Sequence, residues 1–455
     1  MVIKDKDLRK KAKLLEKKRL QKYKISAEQL LVLEELLGYI YVNGQPKASD
    51  YYNRKDLVRI FNEISKEIYG KLGEIPVVVG FGSFLMDIFT AKSDLDLSVN
   101  FSDGTSDFPL ESRIQVLRKF AKKFYALQRK GHVTGVQPIL SAKVPILKVA
   151  DYGTGIECDI SVENRDGVLK SQIVRMVSSI DERFQRLSFL MKTWAKAHDI
   201  NSSKDRTLNS LSIISLVAFH LQTCKPPILP PFSVVFKDGA NPVDVEKIVK
   251  SLHGYGKENK ESLGELFVNL LVKLASVENL WRKGLCASSY QGYWIRKTWD
   301  SKISHMSVED FTDRSENVSR AVGEPQLKKI YKCIHLSLEH ISSYTVGKID
   351  KTKLKELLFV LSKPDVASNK PMSKYNKKRK AEAGRLNDMK RAKLVCRGGG
   401  GEGWESSTTE TKKGGWDAVG PNNECNMKVV VLGNGWGSWG GISSKGWGSW
   451  GMTKC

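Results

Sequence analysis

The chain lacks paired cysteines and histidine arrays, and each absence excludes a class of site. Its 455 residues include 7 cysteines, none of them in a CxxC pair. We therefore expect neither a structural zinc site nor a disulfide framework, and we expect a reducing compartment. The 7 histidines form no HxH or HExxH array, so each is expected to be structural rather than catalytic.

Long apolar runs are also missing. No uncharged apolar segment approaches the ~20 residues that a membrane-spanning helix needs. Residues 1–11 contain no apolar stretch of the kind found in secretory signals. We expect a soluble intracellular protein with no membrane partner.

Acidic residues are too few to balance the basic ones: 74 Lys and Arg stand against 50 Asp and Glu, for a net charge of +24. Residues 1–24 hold a net charge of +8, and residues 365–455 hold another +8. Both ends are therefore basic around an ordinary globular body. Charge alone would fit either nucleic acid or a membrane surface as the polyanionic partner, and nucleic acid is the one we expect.

The basic segment at residues 4–24 alternates cations with leucines, which is typical of a helix. Three interpretations stay open for it: a solvated basic helix, an arm that contacts RNA, or a targeting signal.

The region between residues 56 and 162 has the pattern of an α/β domain. IPVVVGFGS (75–83) is a β-branched run that ends in a glycine turn, and DLDLSVNF (94–101) alternates like a strand. VPILKV (144–149) and IECDISV (156–162) flank a glycine turn and predict a hairpin. From about residue 170 to residue 360 the apolar spacing is that of helices.

The residues that can do chemistry are Gly82-Ser83, Asp94-x-Asp96 and Asp159. Asp94 and Asp96 are two apart on a predicted strand, so their carboxylates project from one face. Asp159, on the second strand of the predicted hairpin, can lie beside them in a sheet. A lone DxD is common, but a glycine turn, a DxD and a third strand aspartate in this order are much more specific.

Three carboxylates at one place repel each other unless a cation holds them. Two divalent ions ~3.5–4 Å apart would do so, in the arrangement that assists phosphoryl and nucleotidyl transfer. Oxygen ligands favour Mg²⁺ or Mn²⁺. Gly82 would let the backbone approach a triphosphate, and Ser83 offers it a hydroxyl and an N–H.

These motifs carry a resemblance to a known family. GFGSFLMDIFTAKSDLDLSV (80–99) resembles the signature of the DNA polymerase β-type nucleotidyltransferases. The segments beginning at VPILKVADYG and KTWAKAHDIN resemble the non-templated RNA nucleotidyltransferases, which include terminal uridylyltransferases and non-conventional poly(A) polymerases. The resemblance covers roughly residues 60–325.

The resemblance implies an α+β fold in which a catalytic palm is followed by a helical, poly(A)-polymerase-associated central domain. The predicted organisation is a basic N-terminal arm with helices at 1–45, the palm at 46–175, the helical central domain at 176–362, a basic linker at 363–397 and a disordered Gly-Trp repeat tail at 398–455.

The resemblance also implies a nucleotide site. Lys192 and Lys196 match the family's triphosphate-binding lysines, and their i, i+4 spacing places two cations on one helix face. Ser210 matches a serine that contacts the triphosphate. The next residue is Leu211, where uridylyltransferases usually have a tyrosine that stacks on the base.

The base-reading loop resembles VEDFTDRSENVSRAV (308–322), in which Asp310 and Asn317 match the family. Phe311 replaces the usual proline, and Glu316 stands where a uracil-reading histidine is often found. A carboxylate only accepts hydrogen bonds, so Glu316 can take uracil N3–H or the exocyclic amine of adenine or cytosine.

The implied reaction is attack of an RNA 3′-hydroxyl on the α-phosphate of an NTP, with release of pyrophosphate. Asp159 is the expected acceptor of the hydroxyl proton. UTP is the favoured donor and ATP the alternative. A catalytically weak adaptor that binds Argonaute is a further alternative.

The C-terminal region is compositionally distinct. Basic clusters at 377–380 and 390–393 predict either a bipartite nuclear-localisation signal or a tail that attracts RNA. GWGSWG occurs at 435–440 and at 446–451, which indicates either a low-complexity linker or an Argonaute-binding hook. The tryptophans of this hook are Trp404, Trp416, Trp436, Trp439, Trp447 and Trp450.

Overall fold

The structure is a computed structural model that describes residues 5–23, 25–71, 73–101, 108–299 and 305–360. The predicted basic linker and Gly-Trp tail, with their nuclear-localisation and Argonaute-binding predictions, lie outside these residues.

The strands are β1 (Val77–Phe81), β2 (Leu95–Asn100), β3 (Val133–Ile139), β4 (Ile146–Asp151), β5 (Glu157–Val162), β6 (Leu285–Ser288) and β7 (Tyr293–Arg296). The helices are α1 (Asp5–Lys22), α2 (Ala27–Gly44), α3 (Ala48–Tyr69), α4 (Gly82–Leu85), α5 (Leu110–Arg129), α6 (Arg165–Val177), α7 (Glu182–Ala197), α8 (Ser210–Thr223), α9 (Phe232–Val235), α10 (Pro242–Ser251), α11 (Leu263–Ser276), α12 (Glu324–Thr345) and α13 (Lys351–Phe359), with a 3₁₀ helix at Glu278–Lys283.

The first five strands form one mixed sheet in the order β1-β2-β5-β4-β3. β2 and β5 are parallel, and the other neighbours are antiparallel. β4 and β5 form the hairpin predicted from the glycine turn. β3 was not predicted, because its sequence, VTGVQPI, has no regular alternation of apolar and polar residues.

One face of the sheet is apolar and packs against α3 and α5. Leu95, Leu97 and Val99 are fully buried on this face, together with Phe120 and Phe124 of α5. Because side chains alternate along a strand, the residues between these leucines and Val99 project to the other face, where the aspartates lie.

The rest of the chain forms a second hydrophobic core around α7, α8, α11 and α12. α7, α8 and α11 begin at side-chain caps, such as Ser262 with Glu265 at α11. α8 ends at Thr223, three residues before Pro226, the first of four prolines between residues 226 and 231. The β6–β7 hairpin interrupts the predicted run of helices, because Leu285 to Ser288 form a fully buried strand.

The basic N-terminal segment is helical, as predicted, and packs on the helical core rather than standing free. Leu8 and Ala12 of α1 are fully buried against it. Among the described residues, no helix is long and apolar enough to span a membrane.

Candidate active site

The predicted carboxylates converge at one edge of the sheet. Asp96 of β2 is the direct parallel partner of Asp159 of β5, and Asp94 lies just before β2. Carboxylate oxygens of Asp94, Asp96 and Asp159 all lie within 4.8 Å of one another. The arrangement follows from strand register alone, because two aspartates at one level of adjacent strands project from the same face.

Gly82 adjoins this cluster more closely than the sequence indicated. Its φ is +65°, and a Cβ built there would lie 2.0 Å from the Asp96 Oδ2. Only glycine fits this conformation and this contact. The Gly82 N–H donates to the Ser171 hydroxyl of α6 at 2.9 Å. Gly82 therefore makes room for the Asp96 carboxylate, and Ser83 follows it in the first turn of α4.

A lysine that the sequence analysis missed completes the cluster. Lys148 of β4 lies opposite Asp159, and its ammonium donates to both carboxylate oxygens at 2.6 and 2.7 Å. The signal was present in the predicted hairpin. Counting outward in pairs from the turn between residues 151 and 156 places residue 148 opposite residue 159.

The three carboxylates of the cluster bring negative charges close together. Burial, reinforced by Asp94 and Asp159, raises the pKa of Asp96 to about 8. A single lysine ammonium does not neutralise three carboxylates. The oxygen donor set and the raised pKa both fit a divalent cation, which would favour the ionised form of Asp96.

A buried arginine positions the turn that presents Asp94. Arg54 of α3 is fully buried. Its guanidinium donates to the carbonyls of Ala91 at 3.1 Å and Ser93 at 2.5 Å. These bonds hold the backbone immediately before Asp94, so Arg54 belongs to the scaffold of the cluster.

The two predicted triphosphate lysines lie in different environments. Lys196 is exposed on α7. Lys192 is buried, and its ammonium donates to the Ile88 carbonyl at 2.7 Å. Burial, and then the nearby Lys196, lowers the pKa of Lys192 to about 8. Lys196, rather than Lys192, is exposed to solvent and can contact a polyanion there.

Ser210 and Leu211 begin α8, and the loop of residues 305–322 is fastened to the same helix end. The Asn209 side chain and the Ser212 hydroxyl both donate to the Val318 carbonyl, at 2.8 and 3.0 Å. The structure therefore brings the predicted serine and leucine beside the predicted base-reading loop. Leu211 is half-buried against the helical core.

Two of the loop residues that are predicted to bind the nucleotide make contacts within the protein instead. The Asp310 carboxylate is buried and pairs with Lys170 of α6 at 2.5 Å. The Asn317 side chain is buried, donates to the Met306 carbonyl at 2.9 Å and accepts from the Val308 N–H at 3.1 Å. Both residues shape the loop, and their direct contact with nucleotide stays a prediction.

Glu316, in contrast, lies at the half-exposed rim of the loop between two cations. Its carboxylate accepts from Lys143 at 2.9 Å and from Arg320 at 3.1 Å. Lys143 comes from the β3–β4 connection, so this bridge links the sheet to the loop. Lys143 could not be found from local sequence, because it is 173 residues away from Glu316 along the chain. Arg320 is only four residues from Glu316 and was not singled out in the sequence.

The comparisons with known proteins agree with this geometry. Residues 33–179 match the family model described as "Poly(A) RNA polymerase, mitochondrial-like, central palm domain". Protein HESO1 of Arabidopsis thaliana is 32% identical over 332 residues, which are 68% of this chain and 63% of HESO1. Terminal uridylyltransferase 4 of Homo sapiens is 28% identical over 306 residues, which are 63% of this chain but 18% of that protein.

The fold is also that of solved structures. The structure described as a cytoplasmic RNA terminal U-transferase superposes with a TM-score of 0.56 at 20% identity, covering 73% of this chain and 99% of that one. The mixed α+β fold predicted from the sequence is therefore confirmed, as is the resemblance to the non-templated nucleotidyltransferases.

Proposed function

We propose that this chain, whose residues 33–179 match a poly(A) RNA polymerase palm, is a template-independent RNA 3′-terminal nucleotidyltransferase. The observation that carries the proposal is the pairing of Asp96 with Asp159 in the β2–β5 register, with Asp94 beside them. The reaction joins the RNA 3′-oxygen to the α-phosphate of an NTP and releases pyrophosphate. The similarity to a human terminal uridylyltransferase supports the same reaction class.

The three aspartates are the proposed ligands of two Mg²⁺ or Mn²⁺ ions. Such a pair of ions would stabilise the attacking and leaving oxygens of the transfer. Asp159 is the proposed acceptor of the 3′-hydroxyl proton, and Lys148, which binds both of its oxygens, orients its carboxylate. Lys196, which is exposed on α7, is the proposed ligand of the triphosphate.

UTP is the proposed donor, and the Lys143–Glu316–Arg320 bridge supports this choice. The bridge presents a donor, an acceptor and a donor in turn. The pairing edge of uracil presents the complementary order, O4 acceptor, N3–H donor and O2 acceptor. Adenine offers an N6 amine and the N1 acceptor, which leaves one cation of the bridge without a partner. ATP is the second candidate, because the matched palm model is named for a poly(A) polymerase.

The bridge is also suitably placed for reading a base. Its loop is joined to α6 through Asp310 and Lys170, and the next residue, Ser171, accepts from the Gly82 N–H beside Asp96. A short chain of contacts therefore connects the loop to the carboxylate cluster.

Two further proposals rest on the C-terminal sequence. We propose that the tryptophans of the two GWGSWG repeats bind Argonaute, because each indole offers a large apolar surface and glycine-rich spacers let several weak sites act together. We propose nuclear localisation from the basic clusters at 377–380 and 390–393.

The test of the catalytic proposal is primer extension. The purified protein is incubated with a short RNA bearing a free 3′-hydroxyl, MgCl₂ or MnCl₂, and each NTP separately. We expect extension with UTP above all, complete inhibition by EDTA, and a loss of about 10³-fold or more for Asp96→Asn, because ion binding is worth several kcal/mol at the transition state.

The matched control is Glu246→Gln, which removes a carboxylate charge from the exposed surface of α10. It should extend RNA at the wild-type rate. Extension by Asp96→Asn at a near wild-type rate would show that the cluster is not the catalytic centre.

A further inference from the structure

The basic helix α1 is fixed to the molecule by contacts along one face. Its one acidic residue after the first turn, Glu16, pairs with the buried Lys273 of α11 at 2.9 Å. Arg19 donates to the Ala275 carbonyl at the end of α11. The Arg9 guanidinium lies 4.0 Å from the centre of the Tyr293 ring on β7. The helix is therefore a rigid part of the surface, not a loose arm.

The outward side of α1 carries two rows of exposed lysines. At 100° per residue, Lys6, Lys10, Lys13 and Lys17 face away from the buried Leu8 and Ala12, beginning about 40° beyond Arg9. Lys11, Lys18 and Lys22 lie on the flank on the other side of the helix. Within the described residues, none of these lysines forms an ion pair, so their charge is available to a partner. The inner row is Lys6, Lys10, Lys13 and Lys17, and the outer row is Lys11, Lys18 and Lys22.

Of the two rows, the inner row is the nearer to Arg9 around the helix. Arg9 stacks on Tyr293, which belongs to the β6–β7 hairpin. At the turn of that hairpin, the Tyr290 ring lies 4.7 Å from the guanidinium of Arg314 in the base-reading loop. Contacts therefore run from Arg9, beside the inner row, through one hairpin to the loop that contains Glu316.

We propose that the inner lysine row binds the phosphates of single-stranded RNA upstream of the 3′ end. This inference rests on the proposed function, because it assumes that the 3′ end lies at the carboxylate cluster. Successive lysines of the row rise by about 4.5 or 6 Å along the axis, and the row is about 16 Å long. It forms a straight track of four cations, which suits a flexible polyanion and reads no bases.

An anionic membrane is the other polyanion that such a helix meets, and the structure argues against it. A helix that binds a bilayer inserts its apolar face. In α1 that face, with Leu8 and Ala12, is buried in the protein core. RNA needs only the exposed lysines.

The test compares two triple variants of the full-length protein that remove the same charge from the same helix. Lys10→Gln, Lys13→Gln and Lys17→Gln together change the inner row, and Lys11→Gln, Lys18→Gln and Lys22→Gln together change the outer row. Glutamine keeps the helix propensity. Fluorescence anisotropy measures the affinity for oligoadenylates of 25 and 6 nucleotides over a range of salt concentrations.

We expect the inner variant to bind the 25-mer about tenfold more weakly and to lower the salt slope by about 2, since each lost phosphate contact contributes about 0.7. Its affinity for the 6-mer should stay within twofold of wild type. The outer variant should stay within twofold for both RNAs. Equal losses in the two variants, or no loss in the inner one, would overturn the proposal.

Vesicles containing phosphatidylserine provide the second arm. If the inner variant loses vesicle binding and keeps its RNA affinity, the row is a membrane site and the RNA assignment is wrong. Extension of the 6-mer tests the proposed nucleotidyltransferase function separately from RNA binding by the lysine row. A wild-type protein that does not extend it refutes the proposed function, whereas the anisotropy still reports on the lysine row.

Discussion

The carboxylate cluster and the loop of residues 305–322 are held in place by different kinds of interaction. The cluster depends on strand register, in which Asp96 pairs with Asp159 and Lys148 pairs with Asp159 across neighbouring strands. The loop depends on side-chain contacts with distant parts of the chain, such as Asp310 with Lys170 and Glu316 with Lys143.

This difference has a consequence for mutation. A change in the cluster acts on the reacting groups themselves and leaves the sheet intact. Under the proposed function, we expect a change at the rim of the loop to alter which base is preferred and to leave the chemistry in place. The predictions below separate these two effects.

Among substitutions outside the three aspartates, the largest effect is expected at Gly82. Gly82→Ala places a Cβ against the Asp96 carboxylate, and the residue must also keep a left-handed backbone, so we expect a loss of about a hundredfold or more in the rate of extension. The measurement is single-turnover extension together with the melting temperature.

Gly155→Ala is the matched control, because Gly155 has a similar φ of +70° but nothing within 4 Å of its added Cβ. It should lower stability by about 1 kcal/mol and leave the rate unchanged. If both variants lose activity equally, backbone strain rather than displacement of Asp96 is responsible.

A smaller effect is expected at the bridge. Lys143→Gln and Glu316→Gln each break an ion pair of the bridge. Because a glutamine amide can both donate and accept, the donor–acceptor–donor order is no longer fixed, and the ratio of kcat/KM for UTP over ATP should fall about fivefold, as for the loss of about one hydrogen bond. Lys250→Gln, which breaks an exposed ion pair on α10, is the control and should leave the ratio unchanged. An unaltered ratio in both bridge variants would place base selection elsewhere.

The same comparison explains what could be predicted from the sequence. Side-chain alternation is a local rule, and it was enough to place Asp94 and Asp96 on one face of a predicted strand. The arrival of Asp159 beside them was an expectation, because it depends on the non-local pairing of β2 with β5. The hairpin from VPILKV to IECDISV was also predicted from local sequence, since its two strands flank a glycine turn.

The remainder depends on contacts that no local pattern encodes. The pairing of Lys143 with Glu316 joins residues on different elements, and the burial of Lys192 against the Ile88 carbonyl depends on how α7 meets the turn after α4. The role of Gly82 was predicted as an approach to triphosphate. The structure adds a contact with Asp96 that depends on the positions of β1 and β2 together.

The central claim is that Asp94, Asp96 and Asp159 form a divalent cation site. Since the folded state raises the pKa of Asp96 to about 8, it binds more protons than the unfolded state from about pH 4 to pH 8. Without a cation, stability contributed by this group is therefore present at low pH and is lost as the pH rises through 8. The Asp96→Asn variant has no ionisable group at this position, so it should not lose this stability as the pH rises.

The most direct test is thermal unfolding of the wild type and Asp96→Asn at pH 5 and pH 8.5, with and without MgCl₂ or MnCl₂. Without metal at pH 8.5, Asp96→Asn should melt at a higher temperature than wild type, by about 2–4 °C for each kcal/mol of repulsion removed. At pH 5 the difference should shrink. Saturating metal should raise the melting temperature of the wild type and not that of the variant. A wild type that gains no stability from either metal, or a variant that gains equally, would contradict the assignment of these three aspartates as the cation site.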